Sequence, residues 1–268
     1  MNSIEVEFKN QRIKLEHPEN FNELTPTQFM QVVRIAYNTE YDEAKQLELC
    51  FHLLKESDVK KKFRIYDIIE AAVLHAYADS LLALQKFVND KIVLDKWLIP
   101  FIQTKKTLFL GPLDRFSYMT FGEFIYADML FMRYMQGNNE ALLNSLLAVL
   151  YRENDKKALK KTDKRVKFES SENDYRAKQL AEISALQKQA VLINYSGIRS
   201  SLEAKYPFVF GGKEQTSNLQ VVNLGTSQSG WMTIRRNLAE SVLNYDKIDS
   251  ALLSDVLADF NEKLSKND

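Results

Sequence analysis

The chain has 268 residues, 45% hydrophobic and 27% charged, with 36 basic and 36 acidic side chains and a formal net charge of zero. That length suits one large domain or two small ones, and the balanced charge excludes a global field drawing the protein to nucleic acid or a membrane. The single cysteine, Cys50, excludes an internal disulfide framework and points to a reduced compartment. No apolar run approaches the ~20 residues that span a bilayer.

In chain order, Met1 to Phe8 has neither a basic start nor a long apolar stretch and does not read as a secretory signal. Ile4, Val6 and Phe8 alternate with Glu5 and Glu7, and Ile13 and Leu15 with Lys14 and Glu16, around Lys9 to Arg12. This predicts a small β-hairpin with one apolar face. A lone hairpin is marginal in water, so it lies on a helix or pairs with a neighbouring chain. Thr25-Pro26-Thr27-Gln28 opens the first helix as a capping box with Pro at N1, and Leu24 and Phe29 stand at the staple positions. Helices are predicted from about Tyr41 to Leu54 and from about Ile65 to Val88. Cys50 lies among apolar neighbours and reads as a buried thiol. Ile92 to Leu94 and Thr107 to Leu110 read as short strands flanking Trp97 to Ile102, able to extend the N-terminal hairpin into a sheet.

The chain is organised around Gly111 to Arg152. Gly111-Pro112 is a breaker pair. Thr120 has N-cap character, with Glu123 as its capping-box partner and Met119 and Phe124 as a staple. That helix stops at Gly137-Asn138-Asn139, and a second follows from Glu140 to Arg152 with a leucine stripe. Two helices joined so closely pack antiparallel. Phe121, Phe124, Tyr126, Phe131 and Tyr134 surround the first arm. Either that helix is buried on all sides or it forms a subunit interface. With Tyr206, Phe208, Phe210 and Trp231 these aromatics are the interface candidates.

Positions 156 to 167 hold Lys156, Lys157, Lys160, Lys161, Lys164, Arg165 and Lys167 with one acid, Asp163. The run is either a solvated loop or a contact for phosphates or an acidic partner. A long helix is predicted from about Asp174 to Tyr195, with a break at Ser196-Gly197, a short helix to Lys205, and an aromatic anchor at Tyr206 to Phe210. Lys213 to Gly230 is rich in Gly, Ser, Thr, Asn and Gln taken together, is low in large apolar residues, and reads as an arm or long loop. Trp231 to Leu243 and Ile248 to Leu264 form a C-terminal helical hairpin. The fold class is mainly α, a bundle of helical hairpins with a small N-terminal β-hairpin. Its domains are 1–152, a basic linker 153–173, and a helical region 174–268 with a flexible arm at 211–230.

No catalytic, cofactor or metal constellation emerges. His17, His52 and His75 lack metal-type partners at i+3 or i+4. Gly225, Ser227 and Gly230 miss the nucleophile-elbow spacing because Ser229 stands where a Gly is needed. Gly211-Gly212-Lys213 is followed by Glu214, not Ser or Thr, so it is no phosphate loop. Asp128 interrupts an apolar helix face and reads as a carboxylate paired to Arg133 or to an arginine of another helix.

Several pieces together resemble virion proteins of tailed bacteriophages. They are Asn-Glu-Leu-Thr-x-x-Gln at Asn22 to Gln28, Gly-Pro-Leu-Asp at Gly111 to Asp114, Met-Thr-Phe-Gly-Glu-Phe at Met119 to Phe124, Leu-Tyr-Arg at Leu150 to Arg152, and Tyr-Pro-x-Val-Phe at Tyr206 to Phe210. Their order resembles helical connector, tail-ring or tail-assembly proteins, including those of crAss-like phages. The resemblance implies a non-enzymatic structural subunit, with no catalytic residue, cofactor or metal. It implies assembly in the bacterial host cytoplasm into a virion, as a ring at the portal or tail. The implied partners are further copies of itself, portal or other tail-ring subunits, and DNA passing through a channel, with no membrane. A tail-assembly chaperone or scaffold-like factor is the alternative, and a small enzyme without a recognisable motif the third.

Overall fold

The computed structural model describes residues 2–8, 10–37, 40–54, 83–157, 161–211 and 228–266. The protein is mainly helical, with short strands. It divides into two compact units, residues 1–93 with 185–193, and residues 94–184 with 194–268. The division falls at 93/94, and the basic 153–173 segment lies within the second unit.

In the first unit, β1 (Asn2–Phe8) and β2 (Gln11–His17) form the predicted antiparallel hairpin, with Ile4 opposite Leu15 and Phe8 opposite Gln11. Asn10 takes the left-handed conformation (φ 60°) that a tight hairpin turn needs. Helix α1 (Pro26–Ala36) starts with the predicted capping box: Thr25 Oγ1 accepts from Gln28 N, and Gln28 Oε1 accepts from Thr25 N. The Gln28 amide also donates to Leu53 O at 2.7 Å, fixing α1 to the end of α2 (Glu43–Leu53). Phe29, Val32, Val33 and Ile35 of α1 and Leu49, Cys50 and Leu53 of α2 form the core between them. Most of the helix predicted over Ile65 to Val88 lies outside the described residues. Its end is a single 3-10 turn, Lys86–Asn89.

In the second unit, β3 (Phe101–Gln103), β4 (Leu108–Leu110) and β5 (Arg152–Glu153) form an antiparallel sheet in that order. It is separate from the N-terminal hairpin, and Ile92 to Leu94 contribute no strand. β4 finds its second partner beyond the helical hairpin, where Leu110 opposes Arg152. Ile102 and Phe109 are buried, while Phe101 and Leu108 face solvent. Gly111 is required by close approach: a Cβ there would stand 2.5 Å from Trp97 Nε1 and 2.9 Å from Ile99 O. Those groups are tied together, Trp97 Nε1 donating to Tyr151 Oη at 3.2 Å and Tyr151 Oη to Ile99 O at 2.8 Å.

Helix α3 (Phe121–Gly137) and helix α4 (Glu140–Leu150) pack as the predicted hairpin. Asn138, not Gly137, supplies the left-handed cap (φ 49°). The long helix predicted over Asp174 to Tyr195 is instead α5 (Asn173–Leu180) and α6 (Ala185–Lys205), parted at residues 181–184. α6 runs unbroken through the predicted Ser196-Gly197 break. A helical Gly costs about 1 kcal/mol against Ala, and here tertiary bonds outweigh it. Leu94 N donates to Gly197 O at 2.9 Å, Leu98 N to Asn194 Oδ1 at 2.7 Å, and Ser201 Oγ to Asp95 Oδ1 at 2.7 Å. The aromatic anchor is a one-turn helix, α7 (Pro207–Phe210), closed by Gly211 at φ 75°. The arm predicted over Lys213 to Gly230 lies outside the described residues up to 227, and α8 (Gln228–Ala239) begins inside its predicted end. The last predicted helix is split into α9 (Tyr245–Ser250) and α10 (Leu253–Ser265). At the split, Leu252 bridges to Thr120: Phe121 N donates to Ala251 O and Leu253 N to Met119 O, both at 2.9 Å.

Candidate functional site

The bridge at Thr120 decides what the start of α3 does. Thr120 Oγ1 caps Glu123 N at 3.2 Å, as predicted. The amide of Phe121 is already met by Ala251 O, and the Glu123 carboxylate does not close a capping box. It turns to two buried arginines instead, 2.8 Å from Arg152 Nη1 and 3.3 Å from Arg165 Nη1. Arg165 also donates to Asp163 (Nη2 to Oδ2, 2.8 Å) and to Leu150 O (2.8 Å). The side chains of Glu123 and Arg152 are each 3% exposed and that of Arg165 is 1% exposed. Burial works against the Arg165 charge, but Glu123 and Asp163 overcome it and raise its pKa. Arg152 goes the other way. Burial, joined by the like charge of Arg165, outweighs Glu123 and lowers its pKa. Arg152 Nε has no hydrogen-bond partner among the described residues. Asp163 is held below the ordinary carboxylate range: burial would raise it, and the bonds and charge of Arg165 prevail.

Arg165 reaches Glu123 because the basic segment is folded, not a linker. Asp155 N donates to Lys164 O at 2.7 Å and Val166 N to Glu153 O at 2.9 Å, so the chain doubles back along β5. Phe168 then stacks on Tyr126 of α3, ring centroids 5.5 Å apart, with the Arg152 guanidinium 5.9 Å above it. Between this flap, the first turns of α3 and the α8–α9 region lies an open cavity of about 890 Å³. Ile125, Tyr126, Met129 and Phe168 supply apolar lining, and Arg152, Lys161 and Lys167 the basic lining. Met232, Arg235, Asp246 and Asp249 line it from α8 and α9. Asp249 is ion-paired with Arg235. Asp249 abuts Gly122, where an added Cβ would stand 2.8 Å from Asp249 Cβ.

A second buried carboxylate stands further along α3. Asp128 is fully buried and accepts from Arg199 Nε at 2.7 Å and Tyr195 Oη at 3.2 Å, both on α6, and from Trp231 Nε1 of α8 at 2.7 Å. Burial and the Asp128 charge push the Tyr195 hydroxyl well above its usual pKa, so it serves as a donor. This is the predicted pairing to an arginine of another helix, and Arg133 takes no part.

Of the predicted interface aromatics, Phe121, Phe124, Phe131, Tyr206, Phe210 and Trp231 are core residues and offer no surface to a partner. Trp231 meets Phe124 edge-on at 5.2 Å and Phe210 at 5.5 Å. α3 is apolar on most sides because α4, α8, α9 and α10 all pack on it. Tyr126, Tyr134 and Phe208 are half-buried. In the basic run, Lys156, Lys157, Lys161, Lys164 and Lys167 are exposed, Lys160 lies outside the described residues, and Arg165 is buried in the ion-pair network. The roles of Arg152, Asp163, Phe168 and Arg199 carry little local signal. The one clue is that Arg152 follows directly on the apolar run of α4. Among the described residues, no three His, Cys, Asp or Glu side chains gather as a metal site, and no helix is long and apolar enough to cross a membrane. The chain matches no protein-family model, no curated protein and no solved structure.

Proposed function

We propose that the chain is a non-enzymatic structural subunit of the head-to-tail connector or tail ring of a tailed bacteriophage, assembling by cyclic self-association. The observation that carries this reading is where the second unit spends its charged and apolar groups. Its buried carboxylates, Glu123 and Asp128, are each committed to arginines. Large apolar side chains meanwhile stand out in water, Tyr175 at 63% exposure and Leu243 at 90% among them. Val242, 70% exposed beside Leu243 on the same turn, makes that surface contiguous, and contiguous exposed apolar surface marks interaction sites. The phage resemblance in the helix starts and anchor supplies the setting. In that setting the exposed lysines of 156–167 face an acidic partner or passing DNA, and the polar stretch 213–227 reaches a neighbouring copy.

The open cavity favours a second reading, a tail-assembly chaperone or scaffold-like factor that holds a segment of a virion protein there. Size-exclusion chromatography with light scattering separates the two. A ring or a concentration-dependent multimer is expected, and a chain monomeric both alone and with its portal would sink the structural reading. Deleting 213–227 should block assembly and leave thermal unfolding nearly unchanged, whereas normal assembly would remove the arm from the reading.

A further inference from the structure

Resting on the structural-subunit reading, and choosing between the two partners it leaves to the lysines of 156–167, we propose that one end of the three-stranded sheet docks the phosphate backbone of duplex DNA. Two basic segments far apart in sequence meet there. Lys105 and Lys106 make the turn between β3 and β4, which Thr104 N closes by donating to Thr107 O at 3.0 Å. β5 runs antiparallel to β4 and ends with Glu153 opposite Phe109, so the chain leaves β5 toward that same turn. The segment beyond then folds back on itself. Asn154 bridges to Arg165, and Asp155 N donates to Lys164 O at 2.7 Å. The resulting loop carries Lys156, Lys157 and Lys161, with Lys164 at its base, to the end of the sheet that holds Lys105 and Lys106.

The fold takes up the acids of these segments and leaves the lysines out. All six lysines are exposed, and none has an ion-pair partner among the described residues. Glu153 is paired with Arg176 at 2.7 Å, and Asp163 with Arg165 at 2.8 Å. Asp155 accepts from the Lys157 amide at 3.0 Å and is the one carboxylate of the two segments that no basic side chain neutralises. Thr107 Oγ1 donates to Gln179 Oε1 at 3.3 Å, and the exposed Lys178 and Glu182 on either side of Gln179 in sequence offset each other. The local potential is therefore positive, although the whole chain carries no formal net charge. The residue types choose the partner. Apart from the lysines, the exposed described residues of the two loops are Asn154 and Thr162; the exposed Leu108 lies on the sheet, outside them. Interfaces between proteins have an apolar centre and are poor in lysine. Lysine meets phosphate as a point charge. Among these exposed side chains no aromatic stacks on a base and no arginine reads guanine, so the surface follows the backbone whatever the sequence.

Fluorescence anisotropy of a short labelled DNA duplex of mixed sequence, titrated with the full chain, tests this. Wild-type binding should weaken with salt at a slope of about 3–5 in log Kd against log salt, as about four or five neutralised phosphates give. Lys105→Ala with Lys106→Ala, and separately Lys156→Ala with Lys157→Ala, should each weaken binding roughly tenfold or more at low salt and lower the slope by about 2, with circular dichroism unchanged. Lys86→Ala with Lys96→Ala, equal in charge and outside the two loops, should bind as the wild type does. A control weakened as much as the two doubles would show a bulk charge effect and overturn the surface. An effect confined to the 156–157 pair would show that the loops do not act together and overturn it equally. A chain that binds polyglutamate but not the duplex has an acidic protein as its partner, and the proposal falls. Light scattering without DNA keeps this apart from self-association. A ring that ignores the duplex overturns the surface alone, while a monomer that binds it through both loops upholds the surface and counts against the ring.

Discussion

Two carboxylates on α3 meet opposite fates. Glu123 and Asp128 are five positions apart, about 140° around the helix, and so face different surroundings. Asp128 is closed in by three donors from α6 and α8. Glu123 lies under an open cavity with two arginines, one of which keeps an unpartnered Nε. The contrast separates two uses of buried charge. A carboxylate whose donors all come from its own core tightens the fold. One shared between two arginines, of β5 and of the segment folded back along it, ties that segment to the helix.

The contrast breaks most sharply at Asp128. Asp128→Asn should strip the buried Arg199 of the fully buried carboxylate it pairs with, and breaking a buried pair costs about 3–5 kcal/mol. Urea unfolding followed by circular dichroism measures it, and a loss below about 1 kcal/mol would show that the enclosed carboxylate is not a tie. At the open site the two arginines should differ. Arg165→Met strands Asp163 and is expected to cost about 2–3 kcal/mol. Arg152→Met leaves Glu123 with Arg165 and removes an incompletely satisfied donor, for about 1 kcal/mol. Equal losses would erase the distinction between them. Gly122→Ala sets a helix-propensity gain of about 1 kcal/mol against overpacking of about 1–3 kcal/mol from the clash with Asp249. A net loss near 1 kcal/mol is expected, with α9 pushed outward at the cavity wall, visible as chemical-shift changes at Asp249 and Arg235.

The smallest effect is in pH. The folded pKa of Asp163 is depressed, so its contribution is complete above the unfolded value of about 4 and is lost as pH falls through the folded value below that. The melting temperature should therefore drop on acidification below about pH 4. Asp163→Asn should flatten part of that drop. Identical acid profiles for wild type and Asp163→Asn would remove the ion pair from this account.

The parts of this arrangement that lay open in the sequence are the local ones. The capping box at Thr25, the N-terminal hairpin, the α3–α4 pair and the pairing of Asp128 to an arginine all follow from spacing and residue chemistry. What the sequence concealed depends on partners far along the chain. Gly197 stays helical because the 94–98 segment bonds to that stretch of α6. Leu110 finds a strand partner only at Arg152, across a helical hairpin. Glu123 has the spacing of a capping box, and nothing nearby announces that Arg165 will fold back to claim its carboxylate. The aromatics of α3 were legible as excess, but their direction was not, because that depends on helices α8 to α10 arriving to cover them.

The bridge between Thr120 and Leu252 sets a timetable for synthesis. The amide of Phe121, which opens the central helix, waits for the carbonyl of Ala251, made much later in synthesis. Contacts so distant in sequence slow folding, so a nascent chain halted before residue 251 carries α3 without this bridge and has to hold its apolar flank in check until α9 and α10 emerge.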